Sequence, residues 1–153
     1  MKGKASPERA RQYAFLLLKF RQRSEKELYQ RLKKKNFKEE AIKEAIAFLK
    51  QQAFIDDKSF ARDWINERIK RPYGIRRLSR ELKIKGIDQQ VLDGALEELK
   101  ENYNEEEIVR GLAKEKFDRF KGIKPQKAKK RIYSYLLRRG FSPEIIIECI
   151  NNL

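Results

Sequence analysis

The sequence has 153 residues, of which 40% are charged and 40% hydrophobic, and its formal net charge is +15. This mixture is too apolar for a disordered tail and too charged for a membrane protein. The absence of histidine removes the most common general base and the most common zinc ligand. The single cysteine, Cys149, excludes an intramolecular disulfide and suits a reducing cytoplasm, where we expect the protein to reside.

The sequence favours a binding protein over an enzyme. It contains neither a glycine-rich phosphate loop nor a paired-carboxylate motif, so we expect no catalytic residues, no metal site and no cofactor. The longest apolar run, residues 14–18, is far shorter than the roughly 20 residues of a membrane-spanning helix, and no signal peptide is apparent. We expect Cys149 to be a buried, inert thiol, because it lies in an apolar run.

Nine helices are predicted, each introduced by a capping residue, a proline or a preceding turn, and no strand alternation is present. In chain order they begin at or just after Ser6, Ser24, Lys38, Asp56 or Asp57, Gly74, Asp88, Asn104, Lys124 and Ser142. The second helix opens with the capping box Ser24–Glu27. Ser142 is predicted to cap the last helix, with Pro143 in its first turn.

The helices form a pattern that occurs three times. The first copy has apolar or turn residues at Leu28, Leu32, Asn36, Phe37, Ile42, Ile46 and Leu49. The second copy lies 50 residues further along the chain and the third copy a further 54 residues along, and the equivalent positions hold residues of the same physical character. The turn residues Asn36, Gly86 and Gly140 tolerate the left-handed conformation that ends many helices. We expect the apolar residue after each turn to fold back onto the preceding helix.

The repeat predicts an all-α protein built from three tandem three-helix modules, with boundaries at 1–53, 54–103 and 104–153. A module of about 50 residues buries little core by itself, so neighbouring modules are expected to dock on one another. Such an arrangement predicts an elongated, curved body with one long surface rather than a pocket. We expect this body to be a monomer.

Positive charge is concentrated around the middle helix of each module. Residues 19–38 contain nine basic and two acidic residues, residues 68–85 contain eight and one, and residues 110–139 contain twelve and two. Residues 86–107 are the reverse, with eight acidic residues and Lys100. A single charge run is usually a solvated helix face, but recurrence at three equivalent places favours a binding surface.

The predicted binding residues are the cations on the outward faces of the middle helices. They are Lys26, Lys33 and Lys34 in the first module, Arg76, Arg77, Arg80 and Lys83 in the second, and Lys127, Lys130, Arg131 and Arg138 in the third. The arginines rank above the lysines because a guanidinium grips phosphate or carboxylate with two parallel hydrogen bonds. Gly74 is a weaker candidate, since it would allow a phosphate to approach a helix N-terminus.

Four sets of residues form a combined pattern along the chain: Ser24–Leu28 with Leu32; Ile55–Ala61; Gly74 with Arg77, Leu78, Glu81, Leu82, Lys85, Gly86 and Ile87; and Tyr135–Phe141. In these motifs the sequence resembles the RecX family of bacterial regulatory proteins. The resemblance covers essentially the whole chain and is most specific in the middle module. The segment Arg71-Pro72-Tyr73 departs from the usual approach to Gly74.

The resemblance implies tandem three-helix modules that lie in the groove of the RecA–DNA filament and inhibit its recombinase, ATPase and coprotease activities, without a catalytic site. The partner it implies is therefore the RecA filament, with contact to DNA as an additional contribution. The alternative is an autonomous, non-specific DNA-binding protein of helix-turn-helix-like modules, which the net charge alone also favours. Against sequence-specific reading, the third helix of the second module is acidic and that of the third module nearly lacks basic residues.

Overall fold

The computed structural model describes residues 6–153, and within that range the chain forms nine α-helices and no strand. The helices are α1 (Pro7–Phe20), α2 (Glu25–Lys34), α3 (Glu39–Gln51), α4 (Asp57–Arg68), α5 (Ile75–Ile84), α6 (Gln89–Lys100), α7 (Glu105–Arg119), α8 (Pro125–Arg138) and α9 (Pro143–Asn151). The prediction of an all-α fold with three helices in each repeat is confirmed.

The helices gather into two compact units. The first comprises the described part of Met1–Trp64 together with Leu82–Leu92, and the second comprises Ile65–Glu81 together with Asp93–Leu153. Helices α4, α5 and α6 therefore each contribute to both units. The units do not coincide with the three predicted modules, whose boundaries stay a prediction.

Each unit has its own apolar core. In the first unit, α1 and α3 pack together through small and branched side chains such as Ala14, Ile42 and Leu49, which are fully buried. In the second unit, α7, α8 and α9 enclose Phe141, Ile132 and Ile146. Burying one such side chain stabilises the fold by about 1.5–3 kcal/mol relative to leaving it exposed.

The three middle helices end in the same turn. Asn36, Gly86 and Gly140 have φ angles of 70°, 81° and 90°. The next residue in each copy (Phe37, Ile87 or Phe141) is buried, and its N–H donates back to the carbonyl of the last buried leucine of the helix. This is the Schellman arrangement, which satisfies the free carbonyls at a helix end. The predicted left-handed turn and the fold-back are both confirmed.

The predicted helix starts are confirmed in most cases. Ser24 and Glu27 form a complete capping box on α2. Asn104 caps α7, and Asp56 rather than Asp57 caps α4 by accepting the Lys58 N–H. Ser142 is the N-cap residue of α9 and Pro143 lies in its first turn, as predicted, but the Ser142 hydroxyl donates to the Glu144 carboxylate and accepts no backbone N–H.

In the first unit, the N-terminus of α2 is held by residues from α4 and from the end of α5. The Glu25 N–H donates to Asp57 Oδ1 at 2.9 Å, and the Ser24 hydroxyl donates to the Lys85 carbonyl at 2.7 Å. The Lys85 ammonium bonds Glu27 at 2.9 Å. We call these five residues the α2 joint.

In the second unit, the N-terminus of α5 is held in the same way by residues from α7 and from the end of α8. The Ile75 N–H donates to Glu105 Oε1 at 2.5 Å. The Gly74 N–H donates to the Arg139 carbonyl at 2.8 Å, and the Arg76 N–H donates to the Gly140 carbonyl at 3.1 Å. We call these six residues (Gly74, Ile75, Arg76, Glu105, Arg139 and Gly140) the α5 joint.

The two joints share their chemistry. Asp57 and Glu105 are the first residues of α4 and α7, and each binds the first N–H of a middle helix, where the helix dipole favours a negative charge. Burial nevertheless raises the pKa of both carboxyls. In each unit, the carboxylate of the first residue of α4 or α7, which is the first helix of a predicted module, therefore caps the middle helix of the preceding module.

Candidate functional site

Most of the predicted binding residues lie at the surface, where they are available to a partner. Ten of the eleven are exposed: Lys26, Lys33, Lys34, Arg76, Arg80, Lys83, Lys127, Lys130, Arg131 and Arg138. The remaining residue, Arg77, is half-buried. Whether the exposed ten bind a partner stays a prediction.

The basic face of α2 consists of Lys26, Lys33 and Lys34. The aliphatic stem of Lys26 lies against the turn at Gly86, where an added Cβ would meet it at 2.5 Å, so the stem is packed while the residue remains exposed. Lys33 pairs with Glu39 at 3.2 Å, and this contact raises the pKa of its ammonium. Lys26 and Lys34 are therefore freer to meet an anionic partner than Lys33.

The placement predicted for Arg77 is wrong. Its guanidinium lies 4.0 Å from the ring centroid of Tyr73, and its Nε donates to Glu81 at 3.2 Å. Arg77 is thus a packing residue of α5, whereas Arg76 and Arg80 on the same helix remain exposed. The sequence does not reveal this, because Tyr73 precedes α5 and its ring folds back over the helix.

Tyr73 lies at the centre of a cluster of cations that the sequence reading did not identify. The ring is buried, and the guanidiniums of Arg68, Arg77 and Arg139 lie 4.7, 4.0 and 5.1 Å from its centroid. Glu81 pairs with Arg68 at 2.6 Å and with Arg77, and its hydrogen bond raises the pKa of Arg68. Cation–π contacts of this kind contribute about 0.5–2 kcal/mol each, so they help to hold the three guanidiniums around the Tyr73 ring.

The basic face of α8 consists of Lys127, Lys130, Arg131 and Arg138. All four are exposed, α8 contains no acidic residue, and none of the four forms an ion pair with the described residues. The Arg131 guanidinium lies 5.9 Å from the Phe120 ring. The charge of these four cations is therefore available to an anionic partner.

One position is exposed and basic in all three repeats. Lys26, Arg76 and Lys130 are related by the same offsets of 50 and 54 that relate the buried leucines and isoleucine. Each lies two residues before a fully buried apolar residue of its middle helix, namely Leu28, Leu78 or Ile132. The equivalence of these three positions can be seen in the sequence, and it distinguishes Lys26, Arg76 and Lys130 from the other basic residues of their helices.

The phosphate site suggested at Gly74 is wrong. The N–H groups at the start of α5 already donate to Arg139, Glu105 and Gly140 within the α5 joint. An added Cβ on Gly74 would lie 2.2 Å from the Gly140 carbonyl oxygen, so the glycine is needed for close contact between two backbone segments. No open N–H group is left there to bind an anion.

Within residues 6–153, no cluster of three or more His, Cys, Asp or Glu side chains is placed to hold a metal ion. Across the same range, no helix is long and apolar enough to cross a membrane. Cys149 is buried as predicted, its thiol donates weakly to the Glu106 carbonyl, and burial raises its pKa.

Comparison with protein families gives a consistent match along the chain. The models of the first, second and third three-helix domains of RecX match residues 10–49, 56–96 and 104–150. The chain belongs to the RecX family. The resemblance noted in the sequence is thereby confirmed.

Curated RecX proteins match over most of their own length. "Regulatory protein RecX" of Mannheimia succiniciproducens is 33% identical, covering 92% of this chain and 91% of the relative. The proteins of the same name from Haemophilus influenzae (strain PittEE) and Caldanaerobacter subterraneus subsp. tengcongensis are 30% and 32% identical. They cover 90% and 93% of this chain, and 90% and 69% of the relatives. These relatives are named as regulatory proteins rather than as enzymes.

Solved RecX structures have the same fold. The crystal structure of RecX from Lactobacillus salivarius matches with a TM-score of 0.82 and 25% identity, covering 96% of each chain. A second crystal structure, of a regulatory protein RecX, matches with a TM-score of 0.80 over 96% of this chain and 72% of that chain. The second likeness, at 22% identity, concerns the fold alone.

Proposed function

We propose that this RecX-family protein binds the RecA filament assembled on DNA and inhibits its recombinase, ATPase and coprotease activities. The observation that carries the proposal is the combination of RecX membership along the whole chain with an exposed cation at the same position of every middle helix. Neither part suffices alone, because membership does not say which surface binds and charge does not say which partner is bound.

The energetics favour several weak contacts over one strong one. An exposed ion pair contributes about 0–1 kcal/mol, so no single lysine or arginine provides a stable complex. Once one of the three basic faces has bound, the other two are held close to the same filament. Their binding is then intramolecular, which raises the total affinity without any new type of interaction. A protein held to several subunits of a filament opposes the rearrangements that ATP turnover requires, because it binds one arrangement better than the others.

The experiment is a titration of RecA ATPase activity on single-stranded DNA. We expect suppression at less than one protein per RecA subunit. Arg76→Glu with Arg80→Glu should weaken this suppression greatly, because both residues are exposed and neither packs the fold. Arg77 should be left unchanged, since its substitution would disturb Tyr73 and Glu81.

A matched control distinguishes the α5 face (Arg76, Arg80 and Lys83) from the total charge of the protein as the cause of inhibition. Lys43→Glu with Lys58→Glu makes the same change in net charge at two exposed positions outside the middle helices. If this control lost inhibition as fully as the α5 variant, total charge rather than the α5 face would be responsible. Wild-type protein that leaves the ATPase rate unchanged at equimolar RecA would contradict the proposed function itself.

Non-specific DNA binding is the second candidate, and the α8 face favours it. Four exposed cations without acidic partners attract a phosphate backbone, and Phe120 and Tyr133 lie partly buried in the same module. Lys127→Glu with Lys130→Glu should then weaken binding to bare DNA of every sequence and flatten its salt dependence. Nanomolar, sequence-selective binding to bare DNA at physiological salt would favour this function over the filament.

A further inference from the structure

One side of α1 presents large apolar side chains to solvent. Helical spacing places Arg9, Tyr13, Leu16 and Phe20 on a single strip, because they are four, three and four residues apart. Leu16 is 51% exposed and Phe20 is 79% exposed. Neighbouring exposed side chains of this size are unusual in a soluble protein and often mark an interaction site.

A group of cations adjoins this strip at Tyr13. The Lys35 ammonium lies 5.4 Å from the Tyr13 ring, and the charge of Arg23 also interacts with Tyr13. Burial lowers the pKa of Arg23, and repulsion from Arg21 and Arg31 lowers it further. Among the described residues, Arg23 Nε is a buried nitrogen without a hydrogen-bond partner.

The acid nearest this group does not neutralise it. Glu27 bonds Arg21 at 2.5 Å and also bonds Lys85 in the α2 joint, so its charge is shared between two cations. Glu27 is therefore shared among several cations, and Lys35 and the partly buried Arg23 add positive charge next to Tyr13 of the strip. Guanidiniums bind carboxylates in a bidentate manner, and arginine with aromatic side chains is enriched at the centres of protein interfaces.

We propose that the strip Arg9, Tyr13, Leu16 and Phe20, with the adjoining Arg21, Arg23, Arg31 and Lys35, forms a docking surface for an acidic protein segment that carries an aromatic or large aliphatic side chain. We call it the α1 surface. Charge complementarity selects the acidic partner, and the exposed apolar pair selects its apolar side chain. A nucleic acid would use the cations and Phe20 but would leave Leu16 without a matching apolar group. The inference does not depend on the filament proposal.

Two acidic polymers test the α1 surface without any assumption about the natural partner. Dye-labelled polyglutamate and a random copolymer of glutamate and tyrosine (4:1) are titrated with the full chain at about 150 mM salt, where distant charges are screened. We expect the wild type to bind the copolymer about tenfold more tightly, as one well-placed apolar anchor provides. Leu16→Ser with Phe20→Ser should reduce this preference to about one while leaving polyglutamate binding unchanged.

The comparison of two polymers cancels the attraction that the whole basic chain exerts on any anion. Phe54→Ser is the matched control, since Phe54 is 52% exposed in the same unit but lies outside the strip. This variant should keep the tenfold preference, and circular dichroism should show all variants folded. A wild type without preference, or a double variant that retains it, would overturn the proposal. Selective loss of poly(dT) binding in the double variant would instead assign the surface to nucleic acid and also overturn it.

Discussion

Replacing Gly74 by alanine tests the α5 joint, because there is no space for a side chain at this position. The added Cβ would lie 2.2 Å from the carbonyl oxygen of Gly140 and within 2.4 Å of its carbonyl carbon and of the next backbone nitrogen. All three are backbone atoms, so the turn must move as a whole. That movement disrupts the hydrogen bonds from Gly74 to Arg139 and from Arg76 to Gly140.

The loss of stability expected for Gly74→Ala can be estimated from these contacts. Each lost hydrogen bond costs about 1 kcal/mol net, and forcing a methyl group into a packed site costs about 1–3 kcal/mol. Gly74→Ala should therefore lower the free energy of unfolding by about 3–5 kcal/mol. For a protein of this size, a urea denaturation curve should show a midpoint lower by about 2 M.

Two other glycines provide the matched control. Gly94 and Gly111 lie in α6 and α7, and an added Cβ on either would contact no atom within 4 Å. Alanine at these positions should stabilise the protein by about 0.5–1 kcal/mol, through helix propensity alone. A Gly74→Ala variant as stable as the wild type, or stabilised like these controls, would refute the close contact in the α5 joint.

Three other sets of substitutions test separate features of the structure. Ala53 has a φ of 60°, so Ala53→Gly should raise the free energy of unfolding by about 1 kcal/mol, measured by urea denaturation. Burial would raise the pKa of Glu27, but its hydrogen bonds to Arg21 and Lys85 lower it to about 2, below the ordinary 4.5. These contacts contribute about 1–2 kcal/mol at neutral pH, and this stabilisation is lost as pH falls from about 5 to 2. Glu27→Gln should flatten the pH dependence of stability in that window, and an unchanged slope would contradict the pairing. Arg76→Glu with Arg80→Glu should leave the free energy of unfolding, measured by urea denaturation, within about 0.5 kcal/mol of the wild type, because both side chains are exposed.

The helices and their turns could be predicted because their signals are local. Asn36, Gly86 and Gly140 each mark a left-handed helix end by residue type alone, and Ser24 with Glu27 marks a helix start. These signals operate over a few residues and need no knowledge of the rest of the fold. Ala53 also ends a helix in the left-handed conformation, but alanine carries no such signal, and that turn was not predicted.

The joints could not be predicted because they connect residues distant in sequence. Glu105 meets Ile75 across 30 residues, and Ser24 meets Lys85 across 61. Gly74 at the start of a basic helix was interpreted as a phosphate site, whereas its missing side chain makes room for Gly140. A glycine in a sequence indicates that another group approaches the backbone closely, but the neighbouring residues do not identify that group.

The surface placement of the predicted binding residues could be predicted only in part. Helical periodicity correctly placed Arg76 and Arg80 at the surface, but it also placed Arg77 there, because periodicity gives the direction of a side chain and not its partners. Tyr73 and Glu81 hold Arg77 against the helix. The arginines beside α1 were missed for the opposite reason, since they follow no repeat and become a cluster only when α1 and α2 pack together.

The central claim is that this RecX-family chain regulates the RecA filament through its exposed basic faces. The most direct test is the rate of ATP hydrolysis by RecA on single-stranded DNA, followed as the protein is added, with binding to the same DNA measured without RecA. We expect the rate to fall at less than one protein per RecA subunit, under conditions where the DNA alone is weakly bound. An unchanged rate at equimolar protein would contradict the claim, and so would inhibition that appears only where the protein saturates bare DNA.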